Sequence, residues 1–245
     1  MTRVGVLGPG TIDIIELPGQ EPLQRPGGTT LYAARALRFA GAEPVVIETP
    51  GLVISRLRHT EEGTVQAIDR VAEPADPGWL AERLDRFDGC SWVMLGGQTS
   101  DDFPAGTIAL LAERGHRMLL DVQGLARGNR PGPVELRPFP IEAIGPVDAI
   151  KLNAAEARAA VGGDTPDQVR RLGVAEALFS RGPHGALLIL PDREVDVSAS
   201  GDTFSDPTGA GDSLAAFYSL ARTRNAEPEE AIRFAVERVE RLYTA

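Results

Sequence analysis

A chain of 245 residues with 42% hydrophobic and 24% charged residues is long enough to bury one full α/β core, and it lacks the apolar depletion that marks disorder. Its formal net charge of −10 argues against the basic face that binding to nucleic acid or a membrane surface requires. An anionic small ligand is still allowed, because a helix terminus or a divalent cation supplies positive potential locally.

Lys151 is the only lysine among 25 cationic residues, and it follows Ile150, so no Walker-type Gly-Lys-Ser/Thr loop is present. The single Cys90 excludes an internal disulfide and a thiolate metal cluster, and His59, His116 and His184 have no metal-ligand spacing. Without a signal peptide or an apolar run near the ~20 residues of a membrane span, the expected location is the cytoplasm.

In chain order, Arg3 to Leu7 reads as a buried strand ended by Gly8-Pro9-Gly10, and residues 11–16 read as extended again. Asp13, beyond that first strand, is a loop acid or a ligand contact, since open parallel sheets bind ligands past their strand C-termini. Leu17 to Gly28 holds three prolines and three glycines and reads as a loop or hairpin. Gly27-Gly28 then precedes Thr29-Thr30, which can cap a helix through Phe39 stopped by Gly41. A short strand follows at Pro44 to Ile47, a turn at Thr49-Pro50-Gly51, and half-exposed strands between Leu52 and Val71.

Further on, Trp79, Leu80, Leu84 and Phe87 have helical spacing behind Asp76-Pro77. Strand, turn and helix then recur: a strand from Ser91 to Leu95, Gly96-Gly97, a helix from Pro104 to Arg114, and a strand from Arg117 to Asp121. Residues 124–140 form a long Pro/Gly-rich loop, Pro140 to Ile144 a short helix, and Asp148 to Leu152 another strand. Asn153 is a natural N-cap with Glu156 one turn on; locally this spells a capping box. Ala177 to Ser180, Ala186 to Leu190 and Glu194 to Val197 read as strands, and two helices close the chain. The alternation predicts one α/β domain over residues 1–245, with a mostly parallel sheet flanked by helices on both faces.

The chemistry centres on Asp206-Pro207-Thr208-Gly209-Ala210-Gly211-Asp212-Ser213, a glycine-rich turn opening the apolar helix that begins at Leu214. Unpaired N–H groups at a helix start make an anion site. An acid inside such a site is repelled by the anion, so Asp212 reads as a base acting on a substrate that attacks it, as phosphoryl transfer to a hydroxyl requires.

These motifs together resemble the ribokinase or PfkB-like carbohydrate kinase family. The carriers are Asp206 to Asp212, Asn153-Ala154-Ala155-Glu156 as the Asn-x-x-Glu motif, Ser180 to Gly185 as the nucleotide-side turn, and Gly27-Gly28 as the glycine pair of the first signature. The resemblance implies a ribokinase-like fold with a small, reduced β lid within about 12–30 and 48–72. It implies a kinase passing the γ-phosphate of ATP to a hydroxyl of a small sugar or polyol. Asp212 would be the base, and Gly209, Ala210 and Gly211 the anion hole. Ser180, Gly182, Gly185 and Thr208 would line the nucleotide, and Asn153 and Glu156 would hold Mg2+ through water. Asp13, Gly27 and Gly28 would receive the acceptor, and a homodimer through the lid is a family expectation.

The sequence departs from the family at Thr30-Leu31-Tyr32-Ala33, where an Asn usually follows the glycine pair, and in its short lid region. Asp121-Val122-Gln123-Gly124 resembles a loop of inositol-kinase-like members. Three alternatives stand beside this reading: a nucleoside kinase of the same fold, a non-catalytic sugar- or nucleotide-binding member, and an esterase reading of Gly211-Asp212-Ser213-Leu214. The last is disfavoured because no histidine follows His184.

Overall fold

The computed structural model describes residues 1–60, 63–201, 204 and 206–244, with the side chains of 59, 60, 63 and 64, and so that of His59, outside the described set. The strands are β1 Arg3–Glu16, β2 Leu23–Gly27, β3 Glu43–Thr60, β4 Gly63–Arg70, β5 Trp92–Gly96, β6 Arg117–Asp121, β7 Gly132–Pro133, β8 Ala149–Asn153, β9 Glu176–Ser180, β10 Ala186–Ile189 and β11 Glu194–Val197. They form one sheet in the order β11-β10-β9-β8-β6-β5-β1-β3-β4-β7, with β2 paired to β1. The central run β9-β8-β6-β5-β1-β3 is parallel, and both ends are antiparallel.

The helices are α1 Gly28–Phe39, α2 Pro77–Ala81, α3 Ala105–Glu113, α4 Ala154–Val161, α5 Pro166–Arg170, α6 Ala210–Thr223 and α7 Pro228–Thr244. Strand side chains alternate between two cores, as a sheet covered on both faces demands. Trp92, Met94 and Leu119 pack with α1, α6 and α7. Val93, Leu95, Met118, Leu120, Ile150 and Leu152 pack with α2, α3, α4 and α5 on the other face.

The structure corrects several sequence-level boundaries. The expected break after Leu7 is absent, and β1 runs 14 residues without interruption. Thr49-Pro50-Gly51 is not a turn ending a strand but a bulge inside β3, where Pro9 pairs with Thr49 and Gly10 with Leu52. Thr29 and Thr30 do not cap α1: Gly27 is its N-cap, and both threonines lie buried inside the first turn. The helix expected from Trp79 to Phe87 splits into α2, capped by Asp76 accepting from the Trp79 N–H, and a 3-10 turn at Leu84–Phe87. The helix α5, capped by Thr165, was not anticipated. None of the helices among the described residues is long and apolar enough to cross a membrane.

The parallel strands carry the loops after β5, β6, β8 and β9 to one edge, where α6 also begins. The outer halves of β1 and β3, with β2, β4 and β7, extend the sheet past that edge.

Candidate active site

The loop before α6 is held from several sides. Asp206 accepts from the Thr208 N–H at 3.0 Å and from Arg25 of β2 at 2.9 Å. The Tyr243 hydroxyl of α7 donates to the Thr208 carbonyl at 2.9 Å. Gly209, the N-cap, sits at φ +80, and a Cβ there would lie 2.1 Å from the Tyr32 ring, so both backbone and packing require glycine. The Ala210 N–H is taken by the Pro207 carbonyl at 3.0 Å. The N–H groups of Gly209, Gly211 and Asp212 therefore remain open to an anion among the described residues, a different set from the expected Gly209, Ala210 and Gly211.

Asp212 lines the cavity in the first turn of α6, where its Oδ1 accepts from the Thr29 hydroxyl at 2.7 Å. Burial, followed by the charge of Asp121, pushes its carboxyl up to about 6, against the opposing pull of Lys151, the Thr29 hydroxyl and Arg127. Lys151 and Asp121 are register neighbours on β8 and β6, and their side chains are 6% and 1% exposed with Nζ 3.0 Å from Oδ2. Burial alone would lower the lysine, but Asp121, Glu156 and Asp212 outweigh it and hold it above its ordinary value. A Cβ on Gly211 would sit 3.1 Å from the Lys151 Nζ, so the ammonium lies directly against the first turn of α6.

Asp13 of β1 is 5% exposed and has no hydrogen-bond partner among the described residues. Burial raises its pKa, Arg25 opposes this, and Asp206 adds to it. Asp13 fills the space a Gly27 side chain would need, its Oδ2 lying 1.9 Å from where that Cβ would be, and Gly28 at φ +79 leaves room for Thr11 in the same way. The Thr11 hydroxyl is buried without a partner. Tyr32, standing in the region where the family carries Asn, lies against Gly209, and burial, opposed by Arg25, raises its pKa.

A cavity of about 460 Å³ runs from Gly209, Ala210, Gly211 and Asp212 past Lys151 and Asn153 to Ser180, Gly182 and Gly185. Its far wall is apolar: Pro183, Phe204, Val236 and Val239. Thr208 does not line it; its backbone is spent on Asp206 and Tyr243. Asn153 and Glu156 form the capping box in full. Asn153 Oδ1 accepts from the N–H groups of Ala155 and Glu156, and Glu156 Oε2 accepts from the Asn153 N–H at 2.8 Å. Glu156 is 3% exposed, and burial, opposed first by Lys151, raises its pKa. No group of three or more metal-ligating side chains converges among the described residues.

The structure also disposes of the esterase reading. Ser213 is fully buried, and its hydroxyl pairs with that of Tyr243 at 3.3 Å. Sequence reasoning missed Thr29, Lys151 and Tyr243 as neighbours of Asp212 and of the loop before α6. The first two carried a signal: Thr29 follows the glycine pair at once, and Lys151 is the sole lysine, two residues before Asn153.

Six parallel strands under helices on both faces, with a glycine turn at the start of α6 and a strand extension over the same edge, constitute a ribokinase-like fold. Residues 137–237 match the model of the pfkB family carbohydrate kinases, which are phosphotransferases with an alcohol group as acceptor. Solved structures agree over nearly the whole chain. A pyrophosphate-dependent kinase of the ribokinase family, complexed with a pyrophosphate analog and myo-inositol, is 17% identical with a TM-score of 0.82, covering 98% of this chain and 95% of that one. Ribokinase from Arabidopsis thaliana, complexed with ribose and ATP, is 17% identical with a TM-score of 0.71 and covers 100% of both chains. Phosphofructokinase-2 from Escherichia coli, in complex with fructose-6-phosphate, is 18% identical with a TM-score of 0.66, covering 100% of this chain and 99% of that one. The chain thus resembles the ribokinase/PfkB-like family in sequence as well as in fold.

Proposed function

We propose that this chain is an ATP-dependent kinase that transfers the γ-phosphate to a hydroxyl of a small sugar or polyol. The observation that carries this reading is the meeting, at the start of α6, of the Asp212 carboxylate with the unpaired N–H groups of Gly209 and Gly211 against the Lys151 ammonium. With its pKa near 6, Asp212 is ionised at neutral pH yet still basic enough to take a hydroxyl proton.

Asp13 and the Gly27-Gly28 backbone orient the acceptor. Its hydroxyl gives its proton to Asp212 as its oxygen bonds to the γ-phosphorus, the bond to the β-phosphate oxygen breaks, and ADP departs. Charge on the transferring phosphoryl oxygens is taken up by the Gly209 and Gly211 N–H groups and by Lys151. Ser180, Gly182 and Gly185 lie along the nucleotide. Asn153 and Glu156 are the residues that would hold Mg2+, through water, since their remaining oxygens are few and Mg2+ bound to phosphates keeps its waters. Held there, Mg2+ would supply positive charge against the donor phosphates.

Pyrophosphate is a second donor candidate, suggested by the similar pyrophosphate-dependent kinase. The apolar wall of Pro183, Phe204, Val236 and Val239 favours ATP, because pyrophosphate alone would leave it uncovered. The test is a panel of sugars, polyols and nucleosides with ATP or pyrophosphate as donor, with Asp212→Asn as control. Asp212→Asn is expected to lose on the order of 10²–10⁴ in kcat. Full turnover by that variant would refute the base, and no product from any pair would favour a non-catalytic binding member. Val239→Trp should raise the KM for ATP and spare pyrophosphate.

A further inference from the structure

A second cavity, about 560 Å³, is walled by the arc Arg127 to Arg137 and by Ile68 of β4. Three arginines, Arg127, Arg130 and Arg137, face a single acid there, Glu135, in a protein whose net charge is −10. Arg137 reaches Glu135 only at 3.4 Å, and Arg130 makes no hydrogen bond or ion pair among the described residues.

Arg127 is the unusual member. It is 9% exposed, and its partners are two neutral carbonyl oxygens, Gln98 Oε1 at 2.9 Å and Gln66 Oε1 at 3.1 Å. Its Nε is buried with no partner. The other deeply placed cations rest on carboxylates: Lys151 on Asp121 at 3.0 Å and Arg222 on Glu176 at 2.8 Å. A guanidinium taken out of water without a carboxylate is costly, and burial depresses its pKa despite the more distant Glu156, Asp121, Asp212 and Asp102.

The two glutamines tie Arg127 to the acceptor side. Gln66 also donates to the Ser55 hydroxyl at 3.1 Å, and Ser55 is the β3 neighbour of Asp13. Gln98 is fixed by Asp102, which accepts from the backbone N–H groups of Gln98 and Thr99. Arg127 is thus linked by two hydrogen bonds, through Gln66 and Ser55, to the strand position paired with Asp13.

We propose that Arg127, with Arg130 and Arg137, forms a subsite for an anionic group carried by the acceptor, a carboxylate or a phosphate, so that the acceptor is an acidic or phosphorylated sugar or polyol. This rests on the kinase reading above. Bidentate recognition of an oxyanion is what a pre-organised guanidinium does best.

The test compares matched pairs: D-gluconate with D-glucitol, D-glucuronate with D-glucose, and D-ribose 5-phosphate with D-ribose. Binding is measured by titration calorimetry without donor, and turnover then with donor. At least one anionic member should bind tenfold or more tightly than its neutral counterpart. Arg127→Gln should abolish that preference, Arg127→Lys should restore part of it, and Arg130→Gln with Arg137→Gln should weaken it should Arg127→Gln fail to fold. The carboxylate and phosphate pairs separate the two sources of charge.

Equal or better binding of every neutral member overturns the proposal, as does an anion preference that the arginine variants leave intact, which would place the anion on the Gly209–Gly211 turn. Anion preference without any product would sink the kinase reading and leave the subsite standing. Phosphorylation of neutral acceptors with no preference for any anionic member would do the reverse.

Discussion

Replacing Thr29 with Val tests how the base is tuned. The hydroxyl donates to Asp212 Oδ1 at 2.7 Å, and a bond donated to a carboxylate favours its charged form. Valine keeps the branched shape, which matters because the Thr29 Cγ2 fills the space a Gly96 side chain would occupy, 2.0 Å from where that Cβ would lie. Removing a charge-assisted bond of ~1.5–3 kcal/mol, part of which survives in the protonated state, should raise the Asp212 pKa by roughly one unit. The base must be ionised, so activity falls as pH falls through that pKa. The acid limb of kcat/KM should therefore move from near 6 to near 7, with a smaller loss at pH 8. Thr29→Ser retains the donor and should keep the limb near 6. The assay is kcat/KM from pH 5 to 9 for the three proteins. An unchanged limb in Thr29→Val, or one shifted to lower pH, would refute the assignment of this hydrogen bond to base tuning.

Asp212 carries a second pH signature. Its folded pKa is raised from 3.8 to about 6, so its contribution to stability is full below 4 and is lost as pH rises through 6. Asp212→Asn should accordingly be more stable than the parent at pH 8, by up to ~3 kcal/mol in urea unfolding, with the gain gone at pH 4. Gly209→Ala forces a side chain into a left-handed position at ~1–2 kcal/mol and onto the Tyr32 ring. It should cut kcat more than tenfold while leaving the rest of the fold intact by circular dichroism. Lys151→Met strands Asp121 in the core and should cost ~3–5 kcal/mol in the same urea titration, and adding Asp121→Asn should recover part of it. Glu176→Ala leaves the buried Tyr218 hydroxyl and the Arg222 guanidinium without their shared acceptor, and a loss of ~3 kcal/mol in urea unfolding is expected.

The layered fold was readable because strands such as Trp92 to Leu95 and Met118 to Leu120 are apolar on both faces, a pattern that only a covered sheet uses. Turn chemistry misled where tertiary pairing overrode it: Gly8-Pro9-Gly10 and Pro50-Gly51 look like strand ends, yet they face each other as a bulge between two long strands. The turn at the start of α6 was legible because a glycine turn before an apolar helix is a local arrangement. The long-range contacts were not, because Thr29 reaches Asp212 from α1, while Gln66 of β4 and Gln98 of the loop after β5 meet Arg127 of the loop after β6, with no common spacing in sequence. The loop Asp121-Val122-Gln123-Gly124 hinted at an acceptor role without showing that Asp121 holds the only lysine.

The bulge also governs how the site can move. The β1–β3 ladder slips only between Pro9 and Gly10 and otherwise passes unbroken from the core into the extension. Any closing motion is thus a flexure of a hydrogen-bonded ribbon about that point, without a loop hinge. Asp13 lies three residues beyond it, ~10 Å along the strand, so a bend of about 10° carries its carboxylate through on the order of 2 Å. A displacement of that size separates an acceptor hydroxyl aligned with Asp212 from one that is out of reach. The stiffness of one bulge, opposite Pro50 and Gly51, would then set how often acceptor and base meet.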